Sequence, residues 1–143
     1  MEACFPRVRD RRDRRRSKLD SMVHSPGFLN IVTDAKSRIR QIDIDGYKKM
    51  LAAGEKHLLI DVREDREFAA AHAAGAIHLS KGIIERDIER TVPERDTSMV
   101  LYCGGGFRSA LATDSLQKMG YTNVISLDGG WHAYEVSGLP VEK

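Results

Sequence analysis

A chain of 143 residues with 41% hydrophobic and 31% charged side chains has the size and make-up of one globular domain with a real core. Its net charge of +2 averages two unlike parts, since residues 1 to 18 carry eight Arg and Lys against three acids and the remainder carries 15 basic and 18 acidic groups. A mildly acidic body offers no nucleic-acid surface, no apolar run approaches the roughly 18 residues of a membrane span, and no secretory signal opens the chain; a cytoplasmic protein that binds neither nucleic acid nor membrane is expected.

Residues 1 to about 25 read as a polar, Arg-dense arm without hydrophobic periodicity, of the kind that stays solvated. Met22, just ahead of the patterned part, is an alternative candidate start. From residue 26 to 143 the chain reads as one domain. Phe28, Ile31, Val32, Ala35 and Ile39 recur at helical spacing and predict an accessory helix over about 28–40. A second helix follows, capped by Asp43, lined by Ile44, Tyr47 and Leu51, and ended by Gly54.

Residues 57–62 (HLLIDV) form a buried strand running into a charged turn, and residues 65–71 look helical. A short strand covers 76–79, and a helical piece covers 83–90. Met99-Val100-Leu101-Tyr102 is a strand that runs straight into three glycines, and a helix over 108–119 ends at Gly120. Residues 123–127 make one more strand, Asp128-Gly129-Gly130 a turn, and Trp131 and Tyr134 start a last helix. Strands alternating with helices at this spacing give an α/β fold, a parallel sheet with helices on both faces.

The two cysteines, Cys4 and Cys103, lie near opposite ends of the chain, so no structural disulfide is expected between them. The five histidines are scattered and no C-x-x-C occurs, so no metal site is expected. The informative segment is Cys103-Gly104-Gly105-Gly106-Phe107-Arg108-Ser109. A cysteine at the carboxyl end of a buried parallel strand stands where open α/β sheets place their ligand sites. Three glycines let the backbone curl its N–H groups inward, and the next helix brings its positive end. Together with Arg108 these groups favour negative charge on the Cys103 sulfur, whether as a thiolate or as a persulfide.

This loop resembles the active-site loop of the rhodanese-like domain family, C-x-x-x-x-R followed by Ser or Thr. Asp61-Val62-Arg63-Glu64 with Glu67-Phe68 and His72 resembles that family's first signature, Gly75-Ala76-Ile77-His78-Leu79 continues it, and Asp128-Gly129-Gly130-Trp131 resembles its last. The likeness covers about residues 40 to 140. It implies a three-layer fold around a sheet of about five parallel strands, and a sulfurtransferase that needs no metal or organic cofactor. Cys103 is then the nucleophile, loaded as a persulfide by a sulfane-sulfur donor such as thiosulfate. A thiophilic acceptor (cyanide, a thiol or a protein) removes the outer sulfur.

On the same resemblance, the backbone amides of Gly104, Gly105, Gly106, Phe107 and Arg108 hold the persulfide. The Arg108 side chain either attracts the anionic donor or braces the loop. Ser109 is expected to cap the following helix, and Asp61 and Arg63 to support the loop through hydrogen bonds. His72 reads as structural and Trp131 as core. The chain departs from the pattern at Ala73 and Ala74, where a β-branched residue and proline are usual. It departs again at Tyr134, where tryptophan is frequent; its hydroxyl is expected to point outward. Phosphatase and arsenate reductase loops use C-x-x-x-x-x-R, one residue longer than the Cys103–Arg108 spacing, which disfavours that chemistry. A sulfur relay or protein-interaction module with little thiosulfate turnover is the alternative within the family.

Overall fold

The computed structural model describes residues 24–143. The Arg-rich arm up to residue 23, with Cys4 and Met22, lies outside the described residues. The elements in chain order are α1 (Pro26–Lys36), β1 (Arg40–Ile42), α2 (Ile44–Ala52), β2 (Leu58–Asp61), α3 (Asp65–Ala70), β3 (His72–Ala73), β4 (Ile77–His78), α4 (Ile84–Thr91), β5 (Met99–Tyr102), α5 (Phe107–Lys118), β6 (Val124–Leu127), α6 (Gly130–Glu135) and β7 (Val141–Glu142).

Five strands pair in the order β1-β6-β5-β2-β4, all parallel, and β3 pairs with β7 in a separate antiparallel ribbon. The central strand β5 is buried along its whole length and alternates between two core clusters. Met99 and Leu101 pack with Ile84, Ile88 and Leu116 beneath α4 and α5, whereas Val100 and Tyr102 pack with Tyr47, Met50 and Tyr134 beneath α2 and α6. Helices therefore cover both faces, as the alternation of elements predicts. The chain leaves β2 toward β4 on one side and returns to β5 on the other, so the order switches between β2 and β5. Their carboxyl ends flank the crevice where such sheets bind ligands.

The first helix is shorter than its periodicity suggests. It stops at Lys36, and Arg40–Ile42 becomes the edge strand β1, in register with Ile125–Leu127 of β6. Ile39 thus lies between helix and strand, because pairing with a distant strand outweighs local spacing. Arg38 fixes the junction, donating to both Asp114 oxygens of α5 at 2.8 and 3.0 Å and to Asp34 at 2.9 Å. In α2 the buried face is Tyr47 and Met50, while Leu51 is exposed: the helix docks one position earlier than expected.

Asp43 caps α2 as expected, its Oδ1 accepting from the Gly46 N–H at 2.7 Å. Asp43→Ala leaves that N–H without its partner and is expected to cost about 1 kcal/mol of stability. Urea unfolding checks this as a lowered midpoint with an unchanged slope.

Candidate active site

Cys103 continues the alternation of β5 one residue past its end, and its side chain joins the core cluster of Met99 and Leu101 at 1% exposure. The chain then turns sharply through Gly104, Gly105 and Gly106 into α5. Gly106 has φ +104°, and a Cβ there would lie 3.3 Å from both the Asp128 Cα and the Gly129 N, so both conformation and space require glycine. The Gly106 N–H donates to the Cys103 Sγ at 3.1 Å, which seats the sulfur at the amino end of a twelve-residue helix.

The 128–132 segment holds this loop from outside. The Trp131 N–H donates to the Cys103 carbonyl at 2.7 Å and the His132 N–H to the Gly104 carbonyl at 3.1 Å. Since every described peptide is trans, fixing those two carbonyls on α6 turns the Gly104 and Gly105 N–H groups to the opposite side. Loop donors are thus freed for a ligand by the way α6 occupies the acceptors.

Ser109 does not cap α5, contrary to the expectation from its position. The N-cap is Gly106, and Ser109 lies a turn inside, fully buried. Its Oγ accepts from the Cys103 thiol at 3.5 Å and shares a 2.9 Å hydrogen bond with the Ser126 Oγ of β6. One hydroxyl therefore touches the sulfur and a second backs it from β6, and the part played by Ser126 was not visible because it is 23 residues from Cys103 in sequence.

Arg108 reaches back over the loop. Its Nη1 and Nη2 meet the two Glu67 carboxylate oxygens at 3.0 and 3.3 Å, and Nη2 lies 3.2 Å from where a Gly104 Cβ would stand. The Glu67 carboxyl is held below its ordinary range, first by this hydrogen bond. Arg108 is held above its own by the Glu67 bond; burial opposes this, and the charge of Cys103 adds to it. Glu67 belongs to the motif read from the sequence, but its partner is 41 residues away.

Asp61 and Arg63 do not bond the Cys103 loop as expected. The Asp61 carboxylate accepts from the Arg63 side chain at 2.8 to 3.1 Å, and Arg63 also donates to the Ala71 carbonyl. The Arg63 guanidinium lies 4.6 Å from the ring centroid of Trp131, the residue whose backbone N–H holds the Cys103 carbonyl. Their support reaches the loop through Trp131 rather than by direct contact.

Phe107 packs away from the sulfur, against His24 and Phe28 of the α1 region, with Lys36 4.7 Å from its ring centroid. His72 is structural, bonded to the Phe68 carbonyl and to Glu142, and stacked on the Phe68 ring. The Tyr134 hydroxyl does not point outward but donates to the Pro140 carbonyl at 2.6 Å, tying down the chain toward β7. Among the described residues, no cluster of three metal-ligating side chains occurs and no helix is long and apolar enough to cross a membrane.

A buried cysteine at the switch point of a parallel sheet, wrapped by a glycine loop at a helix amino end, defines a cysteine-loop α/β domain. Residues 43–137 match the model of the rhodanese-like domain, and the chain belongs to that family. It is 32% identical to the thiosulfate sulfurtransferase GlpE of Vibrio cholerae over 101 residues, 71% of this chain and 92% of that protein. It is 29% identical to the probable adenylyltransferase/sulfurtransferase MoeZ of Mycobacterium tuberculosis over 133 residues, 91% of this chain but 34% of that longer protein. Among solved structures, a Rhodopseudomonas palustris protein described as a possible tyrosine phosphatase superposes with a TM-score of 0.74 at 27% identity, covering 83% of this chain and 96% of that one. The rhodanese-like domain of the Anabaena protein Alr3790 gives 0.65 at 26% identity, covering 71% and 77%.

Proposed function

We propose that the protein is a sulfurtransferase that carries a sulfane sulfur on Cys103 between a small donor such as thiosulfate and a thiophilic acceptor. The observation that carries this reading is the seating of Sγ against the Gly106 N–H at the start of α5, in a loop whose carbonyls are engaged elsewhere. The Cys103 thiolate attacks the outer sulfur of the donor. A bond forms between Sγ and that sulfur, the bond to the sulfonyl sulfur breaks, and its electron pair leaves with sulfite.

The persulfide that remains is anionic on its outer sulfur. The Gly106 N–H, the helix end and the inward Gly104 and Gly105 amides are the groups that stabilise it, with the Phe107 and Arg108 amides next in line. Cyanide or a thiolate then attacks the outer sulfur and returns the Cys103 thiolate, the pattern of covalent catalysis with two half-reactions. No step transfers electrons to a cofactor, and no step needs a metal. The four residues between Cys103 and Arg108 make a tighter ring than a phosphatase loop, one suited to a single sulfur.

A second reading within the family is a sulfur relay whose acceptor is a protein and which turns over little thiosulfate. Intact mass after incubation with thiosulfate separates the cases. A gain of one sulfur, roughly 32 daltons, that cyanide removes as thiocyanate over many cycles supports the enzyme. Loading with little turnover supports the relay. Absence of loading from both thiosulfate and polysulfide refutes sulfur transfer altogether.

A further inference from the structure

Arg108 stands at the loop where an anionic donor must arrive, yet its charge is already answered. Both of its terminal nitrogens are taken by Glu67. That carboxylate is anchored a third time by the Glu64 N–H at 2.8 Å, so the pair is fixed from both partners rather than swinging in solvent. Arg108 keeps Glu67 ionised, and the two together present no net charge to a ligand. Glu64 adds a further negative charge near Arg108. On the α1 side, Lys36 is stationed over the Phe107 ring. A doubly charged donor entering this surround gains little from Arg108 and meets nearby carboxylates.

We infer that Glu67 sets the charge class of the sulfur donor, holding Arg108 as a neutral pair so that the site favours singly charged sulfane-sulfur donors over doubly charged thiosulfate. This rests on the sulfurtransferase reading above. Glu67 touches no reacting atom and acts through Arg108, as a positioning residue. The anion of methanethiosulfonic acid isolates the effect, because it carries the same sulfane sulfur on a sulfonyl group with a methyl in place of one charged oxygen. Transfer from it forms the same bond to Sγ, breaks the bond to the sulfonyl sulfur and releases methanesulfinate with the electron pair.

The test measures kcat and KM for both donors, with cyanide as acceptor, in the wild-type protein and in Glu67→Gln. Glu67→Gln should raise kcat/KM for thiosulfate by roughly fivefold, mainly through KM and less at high salt. The value for methanethiosulfonate should rise by only about twofold, the square root of that gain, because it carries half the charge. That gain should vanish when Arg108→Gln is added. Arg108→Gln alone reads the same charge from the other side: it leaves Glu67 unopposed, and thiosulfate should lose more than methanethiosulfonate. A brace would behave otherwise, with both donors falling together in either variant, and that result overturns the inference. Equal values for both donors in all variants, or a thiosulfate gain that survives without Arg108, overturn it as well. If wild-type protein takes sulfur from neither donor, the underlying sulfurtransferase reading fails and takes this one with it.

Discussion

Cys103→Ser should remove sulfur loading completely and lower thiocyanate formation by roughly a thousandfold or more, with the fold intact. A serine hydroxyl cannot form the persulfide, so the mutant loses the covalent intermediate and not merely a fraction of its rate. The structure gives the reason to expect folding. The new Oγ is smaller than sulfur but sits beside groups that suit it, the Gly106 N–H and the Ser109 hydroxyl, which Ser126 backs in turn. The buried site therefore exchanges one weak hydrogen-bonding group for a stronger one without orphaning a donor. Stability by urea unfolding should change by less than about 1 kcal/mol. Intact mass after thiosulfate should show wild type gaining one sulfur and the mutant none. A mutant that folds and still forms thiocyanate at the wild-type rate would mean the sulfur travels by another route.

The parts of this site that sequence made legible are those built from neighbouring residues. The apolar run Met99–Tyr102, ending in Cys103 and three glycines, already places a cysteine at the carboxyl end of a buried strand, and β5 occupies those same residues. Asp43 as a cap and Gly120 past the end of α5 are local signals of the same kind, and both hold. What escaped is non-local. β1 hides behind a helical periodicity because its pairing partner is 85 positions away, Arg40 against Ile125. Ser109 looks like a cap because hydroxyls near helix starts usually are. Only the approach of Ser126 from β6 makes its inward orientation favourable. Asp61 and Arg63 are expected to bond the loop, but Asp61 bonds Arg63, whose guanidinium lies over the Trp131 ring. Nothing in the local spacing says that the 128–131 turn folds over them. The Glu67–Arg108 pair is the same case, since each residue lies in its own motif and only the fold brings them together.

Gly130→Ala should be the most damaging single-methyl change in the chain, costing roughly 3 kcal/mol or more of stability and most of the sulfur-transfer activity that remains. Two physical costs add. Gly130 has φ +49°, a left-handed conformation that costs an alanine on the order of 1 kcal/mol. Its added Cβ would also run into the Cys103 carbonyl oxygen and stand 2.9 Å from the Gly104 carbonyl carbon and oxygen, all of them backbone atoms that cannot rotate aside. Relief must come from moving α6 off the loop, and that motion breaks the Trp131 and His132 hydrogen bonds to the Cys103 and Gly104 carbonyls. Once released, those carbonyls are free to turn, and the Gly104 and Gly105 amides lose the orientation that serves a persulfide. Activity should therefore fall further than the folded fraction does. Gly138→Ala is the control: its φ of +85° carries a similar conformational cost, but its Cβ meets nothing within 4 Å and it lies beyond the end of α6. Urea unfolding together with single-turnover sulfur loading distinguishes them. Gly138→Ala should lose about 1 kcal/mol of stability and keep its loading rate, while Gly130→Ala loses both. Equal loading rates in the two variants would mean that the contact between α6 and the loop holds the fold but does not orient the amides.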